Sequence, residues 1–202
     1  MTVTVETRAD LTLETARRVA WKGEGVSLSP RAVAAMAAGR DRLTRILEHD
    51  PDVTIYGVTT GAGQMAKTKL KPDERKGWAK MSPVGAASSW GDLLPERVVR
   101  MIVLARLTNF VEGHAAVSPE IACGVAAMLD GSALPPLPAK GQGGAGEILS
   151  LSHLFMNLVE EIEPEEKDVM CLVNGSPSAT GLVTDAALTA ANRLQVACEV
   201  LA

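Results

Sequence analysis

Tyr56 is the only tyrosine in 202 residues, and it opens the run Tyr56-Gly57-Val58-Thr59-Thr60-Gly61-Ala62-Gly63. A positioned phenol can accept or deliver a proton. The glycines let the backbone turn tightly or take positive φ, which would aim the ring from a loop. The plainer reading is a buried ring whose hydroxyl bonds a backbone carbonyl. Asn174 is the second residue of interest. It follows the apolar run Val169–Val173 and precedes a helix start at Ser176-Pro177. Its plainer reading is a hydrogen bond where that helix begins. Yet a polar group is costly to hold at such a position without a use. A tyrosine acting as a base needs nearby donors or positive charge; Lys67, Lys69 and Arg100 are the candidates.

Other motifs carry less. Gly61-Ala62-Gly63-Gln64-Met65-Ala66-Lys67-Thr68 nearly spells a phosphate-binding loop. Ala66 replaces the glycine before the lysine, and Pro72 interrupts the helix that should face the phosphates. Gly141-Gln142-Gly143-Gly144-Ala145-Gly146 matches the dinucleotide fingerprint in letters only. Pro135, Pro136 and Pro138 precede it where a central strand is required. His114 and His153 read as core or interface histidines, and no Cys/His spacing supports zinc. Glu160, Glu161, Glu163, Glu165 and Glu166 read as a solvated face.

The elements that must position Tyr56 and Asn174 read as mainly helical. Thr2–Val5 is a short strand. Thr12 caps a first helix through Trp21, which Gly23 and Gly25 break. Ser29-Pro30 starts a second, with Val33, Met36, Leu43 and Leu47 at helical spacing to about Glu48, and Asp50-Pro51 ends it. Val53–Val58 reads as an extended run into the glycine loop. Leu94-Pro95-Glu96 opens a helix that is apolar on nearly every face from Val98 to Leu107, so it should be buried. Ser118-Pro119-Glu120 opens another, which closes at Asp130-Gly131. Ser132–Lys140 holds three prolines and reads as a loop. Glu147–Ile162 is helical, with Leu149, Phe155 and Leu158 available to the core. Glu163–Asp168 reads as a solvated acidic connection. The last helix runs from Ser176-Pro177 to Ala202, with Leu182, Val183, Ala186, Leu194, Ala197, Val200 and Leu201 all apolar. Its last turns would expose Val200 and Leu201, so a partner surface or a larger assembly is expected to cover them.

Composition bounds the function. An apolar share of 47% with 3% aromatics makes a core of Ala, Val, Leu and Met and favours packed helices over a β-sandwich. The net charge of −4 gives no basic field for nucleic acid. Cys123, Cys171 and Cys198 are widely spaced and odd in number, which suggests reduced thiols and a cytoplasmic setting. The N-terminus is polar and acidic, unlike a signal peptide. No apolar run reaches membrane-spanning length. The expected partner is a small molecule, not nucleic acid or membrane.

Together these pieces resemble the aromatic amino acid lyases, the histidine and phenylalanine ammonia-lyase superfamily. Leu11–Ala20 and Val26–Arg31 are similar to the family's opening helix and its LSP turn. Tyr56–Gly63 resembles its YGVNTGFG loop, with Thr59 for Asn and Ala62 for Phe. Pro95–Asn109 is similar to its P-E-x-V-R…R-L-N helix, and Leu172-Val173-Asn174-Gly175-Ser176 to its L-I-N-G-T segment. The resemblance implies a mainly α helical bundle with a short N-terminal β segment. It implies one domain over residues 1–202, matching the N-terminal part of longer chains. Residues 1–140 would hold the first helices and the tyrosine loop, and residues 141–202 the prosthetic-group loop and central helices. Tyr56 would be the catalytic acid/base. Asn174 would contact prosthetic group and substrate, with Gly63 and Arg100 completing the expected substrate-binding set.

Three departures qualify that picture. The family's electrophile is a methylidene-imidazolone made from Ala-Ser-Gly, before a helix like that of His153. Here Gly144-Ala145-Gly146-Glu147 takes the place of Ala-Ser-Gly-Asp. With no side-chain hydroxyl to eliminate, the exocyclic methylene cannot form, so no such cofactor is expected from Gly144, Ala145 and Gly146. The Ser-His-Ala-x-Gly stretch expected after Trp78 reads Ser82-Pro83-Val84-Gly85-Ala86. Its substrate-facing histidine is gone, which argues against an aromatic or imidazole substrate. Finally, the family's chains are more than twice as long, and their later portion supplies further tyrosine, arginine and glutamate groups. The expected protein is a lyase-like enzyme or enzyme subunit. It would perform an elimination, cyclisation or isomerisation on a small amino or carboxylic acid. It would work as a homo- or hetero-oligomer, a separate polypeptide being one source of the missing part. The alternative is a non-catalytic scaffold or regulatory subunit of a lyase-like hetero-oligomer.

Overall fold

The structure, a computed structural model, describes every residue except Ser132 and Ala202. The expected loop start at Ser132 and helix end at Ala202 therefore lie outside the described residues. The chain is mainly helical, with two small two-stranded sheets. Strand β1 (Thr2–Val5) pairs in parallel with β2 (Gly25–Leu28). Between them lies α1 (Leu13–Ala16), which Thr12 caps by accepting the Thr15 N–H, and which loosens into a π turn over Arg17–Trp21. Helix α2 (Pro30–His49) starts as expected: Ser29 Oγ accepts the Ala32 N–H at 3.1 Å, and proline takes the first helical position.

Residues 53–58 are not extended. The N–H groups of Val58, Thr59 and Thr60 all turn back to the Ile55 carbonyl, and Thr59 Oγ1 accepts the Ile55 N–H while donating to Val53 O. Local side-chain bonds have replaced a ladder. Helix α3 (Pro72–Ala79) follows, then β3 (Trp90–Leu93). Helix α4 (Glu96–Leu107) is the central element. Every residue from Val98 to Leu107 is buried, as the uniformly apolar pattern predicts. Helix α5 (Pro119–Ala127) is capped by Ser118. Strand β4 (Pro138–Lys140) corrects the loop expected there and runs antiparallel to β3. Its proline is tolerated because it sits at the first position of a strand.

Helix α6 (Ile148–Glu161) buries Phe155 and Leu158 but leaves Leu149 exposed. Helix α7 (Asp168–Val173) begins inside the stretch expected to be solvated. Asp168 is fully buried, and its carboxylate accepts the Ser118 N–H, the Ser118 hydroxyl and the Glu165 N–H. Burial pushes its carboxyl above the ordinary range, against the pull of those donors and Arg40.

Helix α8 (Pro177–Leu201) packs its first half on α4. At Gly181 an added Cβ would lie 2.7 Å from Ile102 Cγ1, so only glycine allows this approach. Asp185 ties α8 to two neighbours by accepting from Trp21 Nε1 at 2.9 Å and Arg97 Nε at 3.1 Å. Beyond Thr189 every described residue of α8 is exposed, Leu194, Val200 and Leu201 among them. No helix among the described residues is long and apolar enough to cross a membrane.

One contact braces α2 from the side. A Cβ on Gly39 would lie 1.9 Å from the Gly113 carbonyl oxygen, and one on Gly113 would lie 2.1 Å from Ala35 O. The neighbouring Arg40 then reaches the carbonyls of Ala116 and Glu166 and the Glu165 carboxylate.

Candidate active site

Tyr56 stands at one wall of an open cavity of about 900 Å3. The ring is 49% exposed, so it is not a core residue. Its hydroxyl oxygen accepts the Gly63 N–H at 2.9 Å. Gly57 takes φ +69°, and a Cβ there would meet Met170 Cγ at 2.8 Å. The tyrosine loop thus lies directly against α7, which carries Met170, and only glycine permits that closeness. Thr59 and Thr60 are buried and tie the loop internally.

Asn174 ends α7 and lines the same cavity. Arg106 on α4 supports that end, donating to the carbonyls of Cys171 and Asn174, the latter at 2.8 Å. Arg106 is 2% exposed, packs over the Phe110 ring at 5.7 Å, and has no partner for Nε. Burial lowers its pKa to about 10, which leaves it charged at neutral pH. Cys171 also reaches the cavity wall. Burial pushes its thiol up to about 11, so it is protonated and inert as a nucleophile.

A second cavity of about 310 Å3, apolar in character, shares Lys167, Met170 and Asn174 with the first. Trp78, Met81, Pro83, Ile148, Val169 and Val173 line its remainder. Lys167 stands where the two meet and holds φ +76°, a left-handed value for a residue with a side chain.

The loop of Gly144, Ala145 and Gly146 lines neither cavity. It touches the site through Gly146, where an added Cβ would lie 2.4 Å from Asn174 Oδ1. Glu147, the residue in place of the family's Asp, is buried at φ +54°. Its carboxylate accepts the Ser178 N–H at 2.6 Å and the Ala179 N–H at 2.8 Å, closing the first turn of α8.

Of the expected site residues, the structure brings together Tyr56, Gly63 and Asn174. Gly63 holds the phenol rather than lining the cavity. Arg100 is elsewhere: its guanidinium donates to the carbonyls of Val19, Glu24 and Leu129, and it lines neither cavity. Lys69 pairs with Asp52 on the surface, and Lys67 is exposed away from the site. His114 is exposed rather than buried, and His153 is half-buried in α6. The residues missed were Arg106, Lys167 and Glu147. Arg106 lay within the R-L-x-N end of the matched helix, so that signal was present. Lys167 and Glu147 owe their places to left-handed backbone, which no side-chain pattern announces.

The family model for aromatic amino acid lyases matches residues 11–163. A histidine ammonia-lyase of Paracidovorax citrulli is 32% identical over 152 residues, covering 75% of this chain and 29% of that protein. The tyrosine aminomutase of Streptomyces globisporus superposes with a TM-score of 0.75 at 29% identity, over 91% of this chain and 38% of that one. Ergothionase of Treponema denticola shares the fold, with a TM-score of 0.78 at 20% identity over 91% and 41% of the two chains. The chain spans well under half the length of each of these relatives. The match to the family model over residues 11–163, with the 32% identity to the Paracidovorax citrulli enzyme, shows that the chain belongs to the aromatic amino acid lyase family.

Proposed function

We propose that the protein is a lyase-like enzyme, or a subunit of one, in which Tyr56 moves a proton on a small amino or carboxylic acid. The reaction is an elimination, cyclisation or isomerisation. One observation carries the reading. The Tyr56 oxygen accepts the Gly63 N–H and so is fixed on the wall of a cavity that also holds Arg106 and Asn174. Because the oxygen accepts there, the phenol's own proton is free for a partner in the cavity.

The family's methylidene-imidazolone does not fit this chain. Gly144-Ala145-Gly146 has no hydroxyl to eliminate. A substrate with its own activation suits the site better: a thioester, a carrier-bound acyl group, or a β-substituted acid with a good leaving group. An intact mass showing water loss from this chain would contradict that view.

Tyr56→Phe tests the central claim. Turnover of β-substituted acids and their thioesters, followed by the absorbance of the new double bond, should fall by about 10²–10⁴-fold. Undiminished turnover refutes it.

A second reading, a non-catalytic subunit of a lyase-like assembly, draws on the exposed side of α8, where Val183, Leu194, Val196, Val200 and Leu201 meet solvent. In either reading, a second copy or a separate polypeptide covers that side. Light scattering, alone and with the product of a neighbouring gene, measures this; a stable monomer that takes no partner counts against assembly.

A further inference from the structure

We propose that the two adjacent cavities bind a carboxylic acid that carries no ammonium group, with Lys167, which lines both, anchoring the carboxylate and the apolar chamber holding the hydrocarbon part. This rests on the Tyr56 site being the place of reaction, but the binding claim has its own test.

The first support is charge. The larger cavity is lined by Arg8, Arg106 and Lys167, and by no Asp or Glu among the described residues. The smaller one has Lys167 and again no acid. In a chain of net charge −4, a cavity with cations alone is built for an anion. The acids that lie near are engaged elsewhere. Glu112 accepts the Arg8 backbone N–H at 2.9 Å and lines neither cavity. Glu147 closes the start of α8, and Asp168 holds Ser118 and Glu165.

The second support is Lys167 itself. A left-handed backbone is strained for a residue with a side chain, and such strain gathers at functional sites. Its ammonium makes no hydrogen bond or ion pair among the described residues, although the side chain is half-buried and reaches both cavities. Arg106 differs. Its terminal nitrogens already hold two carbonyls, so it contributes field more than a direct bond, and its Nε has no partner.

An α-ammonium would fare badly here. Among the described residues no carboxylate lines either cavity to receive it, and the carbonyls of Cys171 and Asn174 are taken by Arg106. It would lose water among three like charges without repayment. A carboxylate meets Lys167 directly, and an aliphatic or aryl tail fits between Trp78, Met81, Pro83, Ile148, Val169 and Val173.

Calorimetric titration with 4-methylpentanoate and leucine, which differ only by the α-ammonium, tests the claim. 4-Methylpentanoate should bind at least tenfold tighter. Lys167→Gly relieves the strained backbone and so keeps the fold, which thermal melting checks; it should weaken 4-methylpentanoate at least tenfold, while Lys167→Arg retains most of the affinity. Tyr56→Phe, even with turnover lost, should still prefer the amine-free acid, so failure of the catalytic reading is seen separately. The proposal is overturned if leucine binds equally or better, if Lys167→Gly binds as the parent does, or if neither acid binds the parent at millimolar concentration.

Discussion

Arg100 and Arg106 lie six residues apart on α4, and both are almost wholly buried. Burial draws both guanidinium groups below their ordinary pKa. Arg100 bonds carbonyls from the π turn, from the residue before β2 and from just past α5, and it lines neither cavity. Arg106 has two carbonyls, one aromatic face, one unpaired nitrogen and a cavity. Residue type and depth are shared, so neither marks a functional arginine. What separates the two is whether the guanidinium stands at a cavity wall.

That contrast can be broken at its strongest point by Arg100→Met. Three buried carbonyls lose their partner, and unfolding in urea should show a loss on the order of 3 kcal/mol or more. Any folded fraction should bind 4-methylpentanoate as the parent does. Weakened binding there would give Arg100 a place in the site after all. Arg106→Met strands two carbonyls and should cost about 2 kcal/mol, but here affinity and turnover should fall together. If only stability falls, the two arginines are equivalent and the contrast fails.

Gly146→Ala sharpens the picture at the loop behind Asn174. The new methyl group needs φ +68° and the space of Asn174 Oδ1, so a loss of about 1–2 kcal/mol is expected with reduced turnover. Full activity would mean Asn174 is not held by that loop. The smallest effect belongs to Lys69→Met. Its exposed pair with Asp52 should be worth under about 0.5 kcal/mol, with turnover unchanged. A clear fall in rate would return Lys69 to the list of groups assisting Tyr56.

Much of the frame was legible in the residues. Ser29-Pro30 announced α2, the apolar run Val98–Leu107 announced a buried α4, and the glycines after Tyr56 announced a shaped loop. These are local signals: a cap, a period, a permissive backbone. β4 is not legible locally because its pairing is with β3, some fifty residues earlier, and the three prolines at 135, 136 and 138 speak for a loop. Asp168 was read as solvated because it ends an acidic run; only the approach of Ser118 makes it a buried acceptor. The helix motif points to Arg100, because a motif gives position along a helix and not the groups around it. Lys167 was invisible as a site residue, since its placement depends on one dihedral angle.

The glycine contact between α2 and the segment after α4 reaches further than packing. A single methyl at position 39 would collide with the Gly113 carbonyl and force α2 to retreat. Arg40, next along, would be dragged off Ala116 and Glu166, the residue immediately before Lys167. The anchor could thus be disarmed from a helix that touches neither chamber, and compensating changes that rescue a position-39 variant should be sought around Arg40 rather than beside the phenol.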